Sequence, residues 1–271
     1  MSAGDNCRFM RSASSLHDAP LAVNRVALRR PLAWLAQGWR DFAGSPLAGI
    51  MHGLFVAIGG WVVLWASTRY WWLAPGAFSG FVLLGPIIAT GLYEISRLRG
   101  RGERAGVPDA IEAWRRGTRP LIGVGILLAV LGTLWVFASA LLFSLFIKVP
   151  LGGPLEFLRY AVVEQGGLLF TLWSILGGLG VAIVFALTAV SPPLLLGRRV
   201  GLRQALLTSA RAVGENPGPM LLWALVILLA TSLSLATGML GFLISVPVLG
   251  HASWHAYRDL VVTDGVPLRN A

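Results

Sequence analysis

Cysteine and lysine are almost missing from this 271-residue sequence: Cys7 and Lys148 are the only ones of their kind. A single thiol excludes a disulfide framework, a CxxC redox pair and a thiolate metal site. With Lys148 the only lysine, no Gly-x-x-x-x-Gly-Lys-Ser/Thr phosphate loop can exist. There is also no His-Glu-x-x-His zinc motif and no Gly-x-Ser-x-Gly nucleophile elbow. Charge is scarce as well, at 13% of residues against about 25% in a soluble domain. These absences exclude the familiar soluble enzymes, and no catalytic residue is assigned.

What is abundant is apolar surface. Hydrophobic residues make up 56% of the chain and mean hydropathy is +0.72. The 22 basic residues outnumber the 12 acidic ones, for a formal charge of +10. In a soluble protein that excess would raise nucleic acid as a partner. In an apolar chain basic residues orient membrane helices instead, so lipids are the expected partner and nucleic acid is not.

A bilayer core about 30 Å thick takes about 20 apolar residues as a helix. Runs of that kind cover 47–67, 76–95, 121–147 and 167–196. The uncharged stretch 219–250 is too long for one crossing and short for two, and Gly238 and Gly241 mark where it turns. Continued through His251 and Trp254 to Tyr257, it supplies two legs, giving six helices. Of the basic residues, 19 fall in the N-terminal segment, the loops after the second and fourth helices, and the C-terminus; Arg69, Lys148 and Arg159 are left for the other side. By the positive-inside rule both termini are cytoplasmic. Trp61, Trp65, Tyr70, Trp71 and Trp72 form one expected interfacial belt, and Tyr93, Trp223, Trp254 and Tyr257 the other.

A repeat underlies the pattern. Gly80-Phe81-Val82-Leu83 leads to Pro86 and Arg97 with the spacing by which Gly241-Phe242-Leu243-Ile244 leads to Pro247 and Arg258. Pro192 and Arg203 form a weaker third copy. Eleven residues of helix span roughly 16 Å, so each proline is expected near mid-membrane, as a kink, and each arginine at the cytoplasmic surface. Short segments ending in proline precede the odd helices: 32–45, 109–119 and 201–216. In the first, Leu32, Leu35, Trp39 and Phe42 recur at helical spacing, which suits an interfacial helix. The expected fold is therefore all-α: a polytopic membrane protein of six transmembrane helices in three hairpins, each preceded by a short interfacial amphipathic helix. Residues 1–31 carry five arginines and no signal-peptide core and are expected to be a disordered, uncleaved cytoplasmic tail. Residues 32–262 form the membrane domain and 263–271 a second cytoplasmic tail.

Ionisable groups inside membrane helices are costly and mark candidate sites. His52, Glu94, His251 and His255 all fall toward the cytoplasmic half, as a possible polar cluster. The i, i+4 pair His251 and His255 shares a helix face and could serve a metal, a haem or a proton path, with His52 the other weak metal candidate. An amphipathic rim role is the plainer reading, and no cofactor is expected. Arg97 lies one turn from Glu94, at salt-bridge spacing. Arg97, Arg203 and Arg258 are candidates for anion or lipid-headgroup contacts, though anchoring of the topology alone also explains them.

The stretch Leu84-Gly85-Pro86 followed by Gly91-Leu92-Tyr93-Glu94-Ile95-Ser96-Arg97 resembles the family called domain of unknown function 2189. So do Trp34-Leu35, Gly38-Trp39 and Asp41-Phe42 upstream, Asn216-Pro217 through Trp223, and Gly250-His251 through Trp254-His255-Ala256-Tyr257-Arg258-Asp259. The resemblance covers residues 32–262. It implies a multi-pass bacterial inner-membrane protein, and some members are labelled cytochrome c oxidase components. The expected function is a non-catalytic accessory, assembly or scaffolding partner of another membrane complex, a respiratory one included. A small-solute or lipid transporter or channel is the alternative, and haem or metal binding a second.

Overall fold

A computed structural model describes residues 19–67, 85–147 and 167–269, with single positions at 76, 77, 81, 156, 159 and 160. Its elements are helices: α1 Arg30–Gly44, α2 Pro46–Ser67, α3 Gly85–Ile88, α4 Thr90–Arg99, α5 Val107–Arg115, α6 Arg119–Phe146, α7 Leu168–Thr188, α8 Ser191–Gly197, α9 Leu202–Glu215, α10 Pro217–Ala236 and α11 Phe242–Leu260. Four stretches are long and apolar enough to cross a membrane: Pro46–Ala66, Arg119–Phe146, Leu168–Gly197 and Pro217–Ala236. The expected second crossing, 76–95, lies partly outside the described residues. The expected sixth is α11, a continuous helix whose His251, Ser253, His255, Arg258 and Asp259 make it too polar to count as a span by composition.

Proline sets the joints. Pro31, Pro46, Pro120 and Pro217 stand in the first helical turn, where a missing N–H costs nothing. Pro192 likewise opens α8, after α7 ends at Thr188, and Pro86 lies in the short α3. Among the described residues, Pro247 is the one proline inside a longer helix beyond its first turn. Between α10 and α11 the chain reverses through Gly238 at φ +63° and Met239 at φ +76°, a left-handed conformation that glycine adopts without strain.

The tightest packing brings α1 and α2 against α11. A Cβ on Gly38 would lie 2.5 Å from the Val248 carbonyl oxygen, and one on Gly53 2.5 Å from that of Phe242. Backbones approach this closely only where a side chain is missing. On α1 the buried stripe is Pro31, Trp34, Gly38 and Phe42, whereas Leu32 and Trp39 are each 52% exposed. Of the four positions read from the sequence, Leu32 and Trp39 face outward, whereas Phe42 belongs to the buried stripe and Leu35 packs against the core.

One expected belt is corrected. Tyr93, Trp223, Trp254 and Tyr257 are at most 3% exposed and belong to the main hydrophobic core. Trp34 packs edge-on against Trp223 at 5.8 Å, and Trp254 against Tyr257 at 5.2 Å. Large aromatics near a helix end satisfy an interior as well as an interface, which is why position alone misplaced them. Of the other belt, Tyr70, Trp71 and Trp72 lie outside the described residues; Trp61 donates its indole N–H to the Gly238 carbonyl at 3.0 Å.

The flanking segments are also better tied than expected. Residues 19–29 run along α9 and α11, through bonds from the Leu21 amide to Thr208 Oγ1, the Asn24 amide to the Leu260 carbonyl and the Val26 amide to Asn216 Oδ1. The Arg199 amide donates to Pro267 and the Arg269 amide to Gly197, so 263–269 is held against the end of α8. These bonds from backbone amides join segments that carry no apolar pattern of their own, so a composition-based reading makes them free tails.

Candidate functional site

Where α1, α4 and α11 meet, one carboxylate gathers three partners. Asp41 Oδ2 accepts the Ser96 hydroxyl proton at 2.6 Å and the His255 Nε2–H at 2.8 Å, and Oδ1 accepts Arg99 Nε–H at 3.3 Å. Burial pushes the Asp41 carboxyl up, but the bonds from His255 and Ser96, with the charge of the histidines, outweigh it and hold it below the usual carboxylate range. Two turns of α1 away, Asp259 repeats the device. It accepts from Arg30 Nε at 2.5 Å and from the indole N–H of Trp34 at 2.6 Å. Both acids bind α1 to α11.

The network continues inward. His251 Nδ1 lies 2.8 Å from Ser96 Oγ. Ser96 has one proton, and it faces the Asp41 carboxylate, so Oγ accepts from His251 Nδ1–H. That tautomer leaves a lone pair on Nε2, and His251 is 0% exposed. Among the described residues Nε2 has no hydrogen-bond partner. The order is His251 Nδ1–H to Ser96 Oγ–H to Asp41 Oδ2, a chain from the core toward the part-exposed Arg99 and His255.

His52 presents the same chemistry on a different scaffold. Its Nδ1 lies 2.7 Å from the Ala48 carbonyl, which can only accept, so Nδ1 carries the proton and Nε2 the lone pair. This Nε2 is also buried without a partner among the described residues. It presses on α4 at Gly91, where a Cβ would be 2.6 Å away, and the ring meets Trp114 edge-on at 5.1 Å. A buried polar atom without a partner is uncommon and costly, and here there are two.

Glu94 points elsewhere. Arg97 grips it with two bonds, Nε to Oε2 at 2.6 Å and a terminal nitrogen to Oε1 at 2.5 Å, and both residues are buried. The four residues grouped from sequence therefore divide. His251 and His255 share the Asp41 network, His52 stands against α4 and α5, and Glu94 forms an ion pair facing another cavity. His255 spends its Nε2 on Asp41, which does not suit a three-histidine ligand set. Among the described residues no group of three or more His, Cys, Asp or Glu is placed to hold a metal ion. Arg203 and Arg258 are exposed, away from the buried Arg97. The residues that sequence reasoning missed are Asp41, Ser96 and Arg99.

A chain of helices, four of them of membrane-crossing length and apolarity, closed by a buried polar network, defines an integral membrane protein of the multi-pass helical class. Residues 73–197 match the family model described as predicted integral membrane protein, domain of unknown function 2189. The resemblance noted from sequence motifs is thus met over a shorter stretch, which includes Glu94, Ser96 and Arg97 but not α1 or α11. No match to the chain was found among the curated proteins or the solved structures.

Proposed function

We propose that this chain is a non-catalytic accessory, assembly or scaffolding partner of another membrane complex, acting through its lipid-facing helices. The observation that carries this reading lies at Gly178 and Gly180 of α7. A Cβ at either would meet nothing within 4 Å. Glycine inside a helix costs about 1 kcal/mol relative to alanine, and the described residues provide no packing reason for it here. With Gly177 and Ala138 these positions line a groove of about 760 Å³ between α6 and α7. Small residues on a membrane helix admit a second backbone, so the fitting occupant is a transmembrane helix of the partner. The α7 span supports the same view, with 11% of its most apolar stretch buried inside the protein.

Purification from native membranes in mild detergent tests the reading. The same companion should be recovered across preparations, and Gly178→Leu should deplete it while the melting temperature holds. If nothing reproducible accompanies the wild-type protein, or only further copies of the chain do, the reading fails.

A second reading, a path for protons or a small solute, draws on the unpartnered Nε2 atoms of His52 and His251 and on the Ser96 link to Asp41. Flux into proteoliposomes should fall with His251→Ala and with Asp41→Asn; unchanged flux in both removes the path.

The proposed layout is six crossings in three hairpins, in a bacterial inner membrane with both termini cytoplasmic. The reversal at Gly238 and Met239, which returns α11 along α2, and the gathering of arginines at one end support it. Cysteine accessibility in sealed cells, at Gly238→Cys against Asp264→Cys, tests it: labelling from opposite sides is expected.

A further inference from the structure

Between α4, α5 and α6 lies a cavity of about 340 Å³ whose walls include Glu94, Arg97, Arg116, Thr118 and Arg269. Among the described residues, three arginines line this space with one carboxylate, that of Glu94. That carboxylate is already committed, because both oxygens of Glu94 are taken by Arg97. Arg116 gives Nε to Glu112 at 2.9 Å. Arg269 gives Nε to the Arg198 carbonyl at 3.2 Å and meets no carboxylate among the described residues. Burial, and then the neighbouring charge of Arg199, lower the pKa of Arg269, as expected where a cation lacks a counter-ion.

The donors left over have a definite shape. Arg116 and Arg269 each keep two terminal nitrogens beyond the bonded Nε, and such planar forks match two oxygens of one phosphate. Thr118 accepts the Leu121 amide at 3.3 Å and retains its hydroxyl proton to donate. Depth fits as well. Thr118 immediately precedes α6, a membrane-length helix that starts at Arg119, which on the proposed layout puts the cavity at the level of lipid phosphates. Leu121 gives it an apolar wall.

We propose that this cavity binds a phosphate-bearing anion, with the phosphate held between Arg116 and Arg269 and hydrogen-bonded by Thr118. Arg97, neutralised by Glu94, positions the wall and is not a ligand. A lipid headgroup and a soluble phosphorylated molecule share this chemistry.

Two probes separate them. In mild detergent, calorimetric titration with inorganic phosphate, against chloride at matched ionic strength, reports the soluble class. Native mass spectrometry after exchange into phosphatidylglycerol or phosphatidylcholine reports the lipid class. At least one probe should bind the wild type, with phosphatidylglycerol retained over phosphatidylcholine if the lipid is the ligand. The double variant Arg116→Gln/Arg269→Gln should weaken that binding at least tenfold, while Arg211→Gln, on α9, leaves it unchanged. If the glutamine pair does not fold, Arg116→Lys/Arg269→Lys, which keeps charge but loses the fork, should weaken binding severalfold. Binding by neither probe, or binding indifferent to the folded double variant, overturns the proposal.

Discussion

Asp41 and His255 stand 214 positions apart in the chain and 2.8 Å apart in the fold. Their bond, with that from Ser96 to the same oxygen, joins the first described helix to the last through α4. The carboxylate is the centre of the network, since each neighbour donates to it.

Replacing Asp41 by asparagine should therefore cost more than a surface change. One amide oxygen cannot serve Ser96, His255 and Arg99 together, and bonds to a charged acceptor are worth about 1.5–3 kcal/mol each, so a loss of about 2 kcal/mol is expected. Its pH dependence has a definite sign. The folded carboxyl ionises below its ordinary range, so its stabilisation is complete above the unfolded pKa of about 3.9 and is lost as pH falls through the lower folded value. Melting in detergent from pH 6 to pH 3 should show wild type and Asp41→Asn converging at the acid end. An undiminished gap at pH 3 would count against this account.

Gly91→Ala probes His52. The added methyl would fall 2.6 Å from Nε2 and 2.9 Å from the Ala110 Cβ, and the ring is fixed by its bond to Ala48. Overpacking of this kind costs about 1–3 kcal/mol. Gly85→Ala, at the start of the short α3 with nothing within 4 Å of the new methyl, is the control and should melt no lower than the wild type.

How much of this was legible beforehand depended on sequence distance. The entry helix was expected at 32–45 and is found at Arg30–Gly44, because a proline stop and helical spacing are local signals. The ion pair of Glu94 with Arg97 was legible for the same reason, being three residues apart. Asp41 was not. It read as one more polar residue of an amphipathic helix, since its partners lie 55 to 214 residues away. Trp34 was hidden differently: the helix carries two apolar stripes, and only packing decides which one meets protein. His251 and His255 do share a face, but the face meets a carboxylate on another helix rather than a third histidine.

Gly178→Ala separates internal from external demands on α7. The methyl meets nothing inside the protein, so the isolated chain should gain up to about 1 kcal/mol from helix propensity. Recovery of the companion from native membranes should fall by contrast, because the groove becomes shallower. Loss of stability on its own would mean that the glycine serves the chain's own fold.

The pair Glu94 and Arg97 allows the sharpest energetic test. Both side chains are under 10% exposed, so Glu94→Gln leaves a buried guanidinium without its counter-charge, which costs about 3–5 kcal/mol. Arg97→Met leaves the opposite orphan and should cost a similar amount. Removing both with Glu94→Gln/Arg97→Met leaves no uncompensated charge, and the double variant should melt well above either single one. That non-additivity, read as a coupling energy from a double-mutant cycle, identifies the pair as a structural unit. Equal and additive losses would instead mean that each residue is held by a separate partner, and Glu94 would return as a candidate for the solute path.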